Sequence, residues 1–309
     1  MITEPTALIL GAGASVDYGF PLGRGLITAI CNTLAKSTSS LYRLLLDCGC
    51  APEEIGQFRS QLNDSNLPSI DAFLENRKEF EQIGKLAIAG VLIPFENKER
   101  LNRSSEPLRW YEYLHGKIIG KKEDYFKNKL VVVTFNYDRS FEYALFLAIK
   151  NSYGLQDEEC TAYMQAIPII HIYGQLGVPF WMSKEGRPYK GDLTPQQVIT
   201  YAKSIRVVHE GDRQSIEFQD AQEAIREACV VCCLGFGYHP ENIKRMQLQQ
   251  TLPGEKKKLY LSAYGFTEKQ LAKLKEKILP KKLPLDCTAV FGQQKQDVLT
   301  FLQETAALE

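Results

Sequence analysis

The chain has 309 residues, 44% of them hydrophobic and 24% charged, a globular balance with enough apolar material for one large domain or two small ones. Its 37 basic and 37 acidic residues cancel, so there is no global electrostatic reason to expect direct nucleic-acid binding. No apolar run approaches the ~18 residues of a membrane span, and Met1-Ile2-Thr3-Glu4 lacks the basic start of a secretory signal; the expectation is a cytoplasmic protein without membrane contact, its eight cysteines held as reduced thiols.

The first predicted element is a short apolar strand, residues 7–10, ending in Gly11-Ala12-Gly13-Ala14-Ser15. Glycines there permit a tight turn and close approach to a ligand, and free N–H groups of the following helix can hold a phosphate. This is half of the dinucleotide fingerprint G-x-G-x-x-G. Val16 stands in the place of the third glycine, and no clear acidic ribose reader follows roughly 20 residues on. The same residues also suit an ordinary strand-to-helix turn. Pro21 fits a loop or a first helical turn, and residues 22–34 carry Leu22, Leu26, Ile27, Ile30 and Leu34 at helical spacing. Further helices are expected over 41–46 and 53–62. Ser69 reads as the N-cap, with Asp71 in the first turn, of a long helix reaching about residue 92 and stopped by Pro94. Another covers 108–119 with Trp110 and Tyr111, which suit a core or an interface. Residues of about 37–124 thus hold no convincing strand and read as a helical insertion within a single 1–309 domain.

The α/β pattern resumes at Leu130. Leu130-Val131-Val132-Val133-Thr134-Phe135 is a β-branched run of the kind found in strands buried on both faces, and it ends in Asn136-Tyr137-Asp138. A helix over 140–150 follows, then a strand over 167–170 ending in His171. Helical patterns near 195–205 and 217–228 precede a strand over 229–234, which ends in a second glycine turn, Gly235-Phe236-Gly237. A helix after Pro240, a strand over 259–262, a helix over 267–278, a strand over 286–291 and a helix over 293–302 complete the chain. Strands alternating with helices predict a doubly wound, mostly parallel, Rossmann-like α/β sheet. The run Lys256-Lys257-Lys258 reads as a solvated strand entrance.

Ligands of open α/β sheets bind outside the carboxyl ends of the strands. Gly11-Ala12-Gly13, Asn136-Tyr137-Asp138, His171 and Gly235-Phe236-Gly237 all fall at such ends, which in a parallel sheet form one rim. Each has a plainer reading. Asn136-Tyr137-Asp138 suits a turn with an N-cap at Asp138, His171 a hydrogen-bonded core histidine, and Gly235 and Gly237 packing glycines. Their coincidence at one edge is what favours a ligand site.

In this order, Gly-Ala-Gly-x-Ser with Gly19-Phe20-Pro21, then Thr134-Phe135-Asn136-Tyr137-Asp138, His171-Ile172-Tyr173-Gly174 and Gly235-Phe236-Gly237, the chain resembles the sirtuin fold family. It is most similar to the bacterial sirtuin-like NAD-hydrolysing branch of anti-phage defence. Ser69-Ile70-Asp71-Ala72-Phe73-Leu74 is also similar to a segment of that branch. The resemblance implies NAD+ as substrate, Asn136 beside the nicotinamide ribose, and His171 as a catalytic histidine, neutral near pH 7 and acting as general base. It implies Gly11, Ala12, Gly13, Ser15 and Pro21 around the pyrophosphate and ribose, Gly235 and Phe236 at the adenosine half, and Asp138 bracing the asparagine loop. Products would be nicotinamide and ADP-ribose or its cyclised form. It further implies gating by homo-oligomerisation or by a partner such as a HerA-type ATPase or an Argonaute-like protein.

Two departures bear on activity. The paired Cys-x-x-Cys zinc ribbon of sirtuin deacylases is missing. The only such spacing, Cys229 to Cys232, lies in a predicted strand where the two side chains diverge, so no metal is expected. Pro21 is followed by Leu22-Gly23-Arg24 rather than Asp-Phe-Arg. Both departures weigh against a deacylase and leave NAD+ hydrolysis, or a non-catalytic NAD or ADP-ribose binding module.

Overall fold

A computed structural model describes residues 1–101, 108–192, 194–208 and 215–309. Six strands form one all-parallel sheet: β1 (Thr6–Leu10), β2 (Leu130–Thr134), β3 (Ile169–His171), β4 (Val230–Leu234), β5 (Lys258–Leu261) and β6 (Thr288–Phe291). Their order is β3-β2-β1-β4-β5-β6, the doubly wound order whose direction reverses between β1 and β4. Every residue of β1 and β4 is buried, as the continuous apolar runs predict for central parallel strands. The edge strand β6 alternates exposed and half-buried residues. All eight cysteines are free, and Cys232 and Cys233 lie inside β4, where burial pushes the Cys233 thiol up to about 12. Among the described residues no helix is long and apolar enough to cross a membrane.

Between β1 and β2 the described residues form helices only. The expected long helix after Ser69 is two helices, Ile70–Asn76 and Glu81–Leu92, joined by a 3-10 turn at Lys78–Phe80. Arg77 leaves helical geometry at φ −131°, ψ 70°, and its guanidinium stacks over Phe73 and Phe80. A Cβ on Gly84 would lie 2.6 Å from the Leu74 side chain, so the second helix folds back tightly on the first. Ser69 caps as expected, accepting from the Ala72 amide at 3.3 Å.

Trp110 and Tyr111 are core. The Trp110 indole N–H donates to Ala14 O at 2.7 Å, the Tyr111 amide donates to the Tyr18 hydroxyl at 2.9 Å, and the Tyr18 and Tyr111 rings stack 3.7 Å apart. These contacts pin the helical segment onto the turn that follows β1. A helix over Asp157–Gln165 was not anticipated; its sequence is polar and its periodicity weak, and the Gln156–Glu159 capping box marks its start. The last helix begins at Val298 rather than 293, because the Asp297 side chain caps it by accepting from the Thr300 amide.

Two buried charged features were not anticipated. The lysine run is not simply solvated: Lys257 is buried, and its ammonium donates to Ile225 O at 2.6 Å and Thr251 O at 3.2 Å, at the carboxyl ends of two helices. Glu96 is fully enclosed between two arginines. Arg139 donates to it through Nε at 3.1 Å and Nη2 at 2.8 Å, and Arg187 Nη2 meets the same carboxylate. The two arginines also donate to the carbonyls of Leu176, Arg187, Pro188 and Lys190.

Candidate functional site

The cleft of interest opens at the carboxyl ends of β1 and β4, where the strand order reverses. The two glycine turns there are packed against each other. Gly11 donates its amide to Leu234 O at 3.1 Å and Gly13 to Gly235 O at 3.0 Å. A Cβ on Gly11 would fall 2.6 Å from Gly235 O, and one on Gly13 2.8 Å from Gly235 Cα. Gly235 sits at φ +57°, with its Cβ direction 2.1 Å from the Ala14 amide nitrogen. The glycines at 11, 13 and 235 are therefore required for turn to meet turn. Gly237 has nothing within 4 Å and is free of that constraint.

This packing alters the expected phosphate chemistry. The Gly11, Gly13 and Ala14 amides are consumed internally, the last by Gly11 O. A 3-10 helix, Ala12–Tyr18, follows directly, and the α-helix begins only at Gly23. That helix, Gly23–Leu34, starts at the cleft without a side-chain cap, since Leu22 has no acceptor to offer. Its first N–H groups and Arg24 are donors for an anion there.

The cleft encloses about 320 Å³ and is lined by Gly11, Ala12, Gly13, Asn136, Gly235 and Phe236, among others. A recess of about 70 Å³ continues from it, lined by Ser15, Pro21, Ile70, Tyr137 and Asp138. All the residues expected around a ligand except His171 thus line one continuous cleft. Phe135 and Phe236 form an aromatic wall with ring centroids 4.9 Å apart.

Asn136 reaches into the junction of cleft and recess. Its Nδ2 donates to Gly11 O and to Ser15 Oγ, both at 3.0 Å, and its amide donates to Thr134 Oγ1 at 3.1 Å. With both Nδ2 hydrogens used, Oδ1 is left as the acceptor. Asp138 accepts from the Ser140 amide at 3.0 Å and from the Ser140 hydroxyl, so it serves the start of helix Ser140–Tyr153 while lining the recess. Burial pushes its carboxyl above the usual carboxylate range.

His171 faces elsewhere. Its Nδ1 is 3.1 Å from Asn136 O, but the ring lines a separate cavity of about 300 Å³ with Ile169, Glu142, Met164, Gln175 and Trp181. Ile169 and His171 share one face of β3, whereas Tyr173, in the turn beyond the strand end, lines the cleft. The strand ends share one edge, but that edge has two sides. Burial, the largest single influence, lowers the His171 pKa; Glu142, 3.3 Å from Nε2, together with the Asn136 carbonyl and Asp138, more than offsets that and raises it.

No protein-family model matches the chain, and no curated protein matches it.

Several cleft residues were not assigned a site role from sequence. Asp71, read as a first-turn acid, is half-buried and accepts from the Tyr137 hydroxyl, and removal from water pushes its carboxyl up. Arg245 pairs with Glu75 across the cleft and donates to the Tyr173 hydroxyl at 3.2 Å, which itself donates to Asn242 Oδ1 at 2.7 Å. The resemblance of the 69–74 segment was the only signal for Asp71. Nothing in the local sequence marks Glu75 and Arg245, which come from helices 170 residues apart.

Proposed function

We propose that the chain is a sirtuin-like NAD+ glycohydrolase, cleaving NAD+ to nicotinamide and ADP-ribose. The observation that carries this reading is the convergence of two interlocked glycine turns and Asn136 on one cleft at the strand-order reversal. In the reaction the bond between nicotinamide nitrogen and ribose C1′ breaks. Nicotinamide leaves neutral with the bonding pair, water oxygen bonds to C1′, and a water proton is released. The Gly23 helix start and Arg24 suit the pyrophosphate, and the Phe135–Phe236 wall suits an adenine. Asn136 Oδ1 suits a hydrogen bond from the ribose hydroxyls or the incoming water. His171 does not line the cleft, so it acts through the Asn136 backbone rather than on the ribose. Gating by self-association or by a HerA-type or Argonaute-like partner, and a role in anti-phage defence, rest on the sequence resemblance alone.

Chromatographic measurement of NAD+ consumption by wild type, Asn136→Ala and His171→Ala tests the reading, with and without the candidate partner. The expected outcome is nicotinamide plus ADP-ribose from wild type and a fall of about 10²-fold or more for Asn136→Ala. The orientation of His171 away from the cleft favours a second reading, an NAD- or ADP-ribose-binding regulatory module. Tight binding by all three proteins with no turnover under any condition establishes that one instead.

A further inference from the structure

We infer that Glu142 is a positioning residue of this site: it holds His171 as an imidazolium between its own carboxylate and the Asn136 carbonyl, and so fixes the segment that presents Asn136 to the cleft. The inference rests on the reading of Asn136 as the group that meets the reacting ribose.

The geometry places one proton and favours a second. A carbonyl oxygen only accepts, so Nδ1, 3.1 Å from Asn136 O, must carry a hydrogen. Nε2 lies 3.3 Å from Glu142 Oε1, and a carboxylate also only accepts. A neutral imidazole has one N–H, which the Asn136 carbonyl takes; the Glu142 carboxylate beside Nε2 favours a second proton there by its charge. Nε2 and Oε1 are both buried and neither is aligned for a hydrogen bond, so the contact is one of charge. The Glu142 side chain is 5% exposed and the His171 side chain 10% exposed. A carboxylate that enclosed is costly without a counter-charge.

The surroundings favour the same state. Asp138, from the loop after β2, adds a second acidic group acting on the ring. The other walls of the cavity around it, including Met164, Ile167, Gln175, Trp181 and Met182, carry no charge. A ring that holds both protons cannot take another, so in this state His171 does not serve as a general base. When pH rises far enough to remove one proton, the ring can donate to only one partner, and the Glu142 charge is left uncompensated.

The test is a ring titration by NMR on carbon- and nitrogen-labelled full-length protein. The chain has four histidines, and loss of one resonance in His171→Asn identifies the ring. The expected result is an imidazolium signal for His171 persisting through pH 7.5, and a midpoint lower by roughly one pH unit or more in Glu142→Gln, with Glu142→Asp between the two. A wild-type ring that is neutral at pH 7, or a midpoint unmoved in Glu142→Gln, overturns the inference. The wild-type titration decides the matter by itself if Glu142→Gln does not fold. Turnover supplies a second readout: Glu142→Gln should lower kcat about 10- to 100-fold, in the range found for outer partners of functional ligands, with KM little changed. A protein that shows the expected titration but consumes no NAD+ refutes the hydrolase reading and leaves the protonation and holding of His171 standing.

Discussion

Replacing Gly235 by alanine probes the contact on which the cleft is built. Gly235 is at φ +57°, a region that costs a non-glycine residue about 1–2 kcal/mol. The added methyl would lie 2.1 Å from the Ala14 nitrogen and 2.3 Å from the Gly13 carbonyl carbon. Both are backbone atoms, which cannot swing aside as a side-chain tip can, so a further ~1–3 kcal/mol of overpacking applies. The sum is about 2–5 kcal/mol. With an unfolding entropy near ~2.1 cal/mol/K per residue, 309 residues give about 0.65 kcal/mol/K, so Tm should fall by about 3–8 °C. Circular-dichroism melts measure this, and calorimetric titration with NAD+ measures the accompanying loss of binding. Gly237→Ala is the matched control, because no atom lies within 4 Å of its would-be Cβ. A Gly235→Ala protein melting within about 1 °C of wild type, or a Gly237→Ala protein falling equally far, would refute the interlocked-turn account.

Two further outcomes follow from buried charge. Glu96→Gln leaves Arg139 and Arg187 without their shared carboxylate, and loss of one side of a buried ion pair costs about 3–5 kcal/mol; a denaturation midpoint unchanged in this variant would contradict the enclosed-triad description. His115 is shielded at a covered, unpartnered Nε2, and burial pushes its pKa down to about 4. The unfolded chain, with a histidine near 6.5, takes up this proton first, so stability is full above pH 6.5 and falls between 6.5 and about 4. The loss at pH 5 is about 2 kcal/mol. His171 acts with the opposite sign: its raised pKa gives stability below pH 6.5 that is lost as pH rises through the folded value. In His115→Gln the urea midpoint at pH 5 should therefore rise relative to that at pH 7.5 when compared with wild type, and equal acid sensitivity in the two proteins would rule this out.

The six strands were legible because each is a short apolar run bounded by a polar or glycine turn, and burial on both faces leaves no other pattern for β1, β2 and β4. The break at Arg77 was not legible, since residues 69–92 keep helical spacing throughout and the fold-back depends on Gly84 meeting Leu74. At the site, the glycine turns and Asn136 were readable because they adjoin strand ends. Their mutual packing was not, because it joins residues about 220 positions apart in a way that only the parallel register of β1 and β4 brings about. The side of the sheet that His171 occupies was implicit in its sharing strand parity with Ile169. The importance of Glu142 was not, because a lone acid in a helix reads as solvent-facing until its partner is known.

The Glu96 triad also fixes a stretch of chain that has little structure of its own. Residues 176–190 have almost no regular structure, yet their carbonyls are gripped by Arg139 and Arg187, which are fastened in turn to one enclosed carboxylate. Such a segment is a fixed wall of the cavity beside His171, which Pro179, Trp181 and Met182 line. The cleft itself is bordered instead by helix Ile70–Asn76, which is held by side-chain contacts at its two ends, Asp71 with Tyr137 and Glu75 with Arg245.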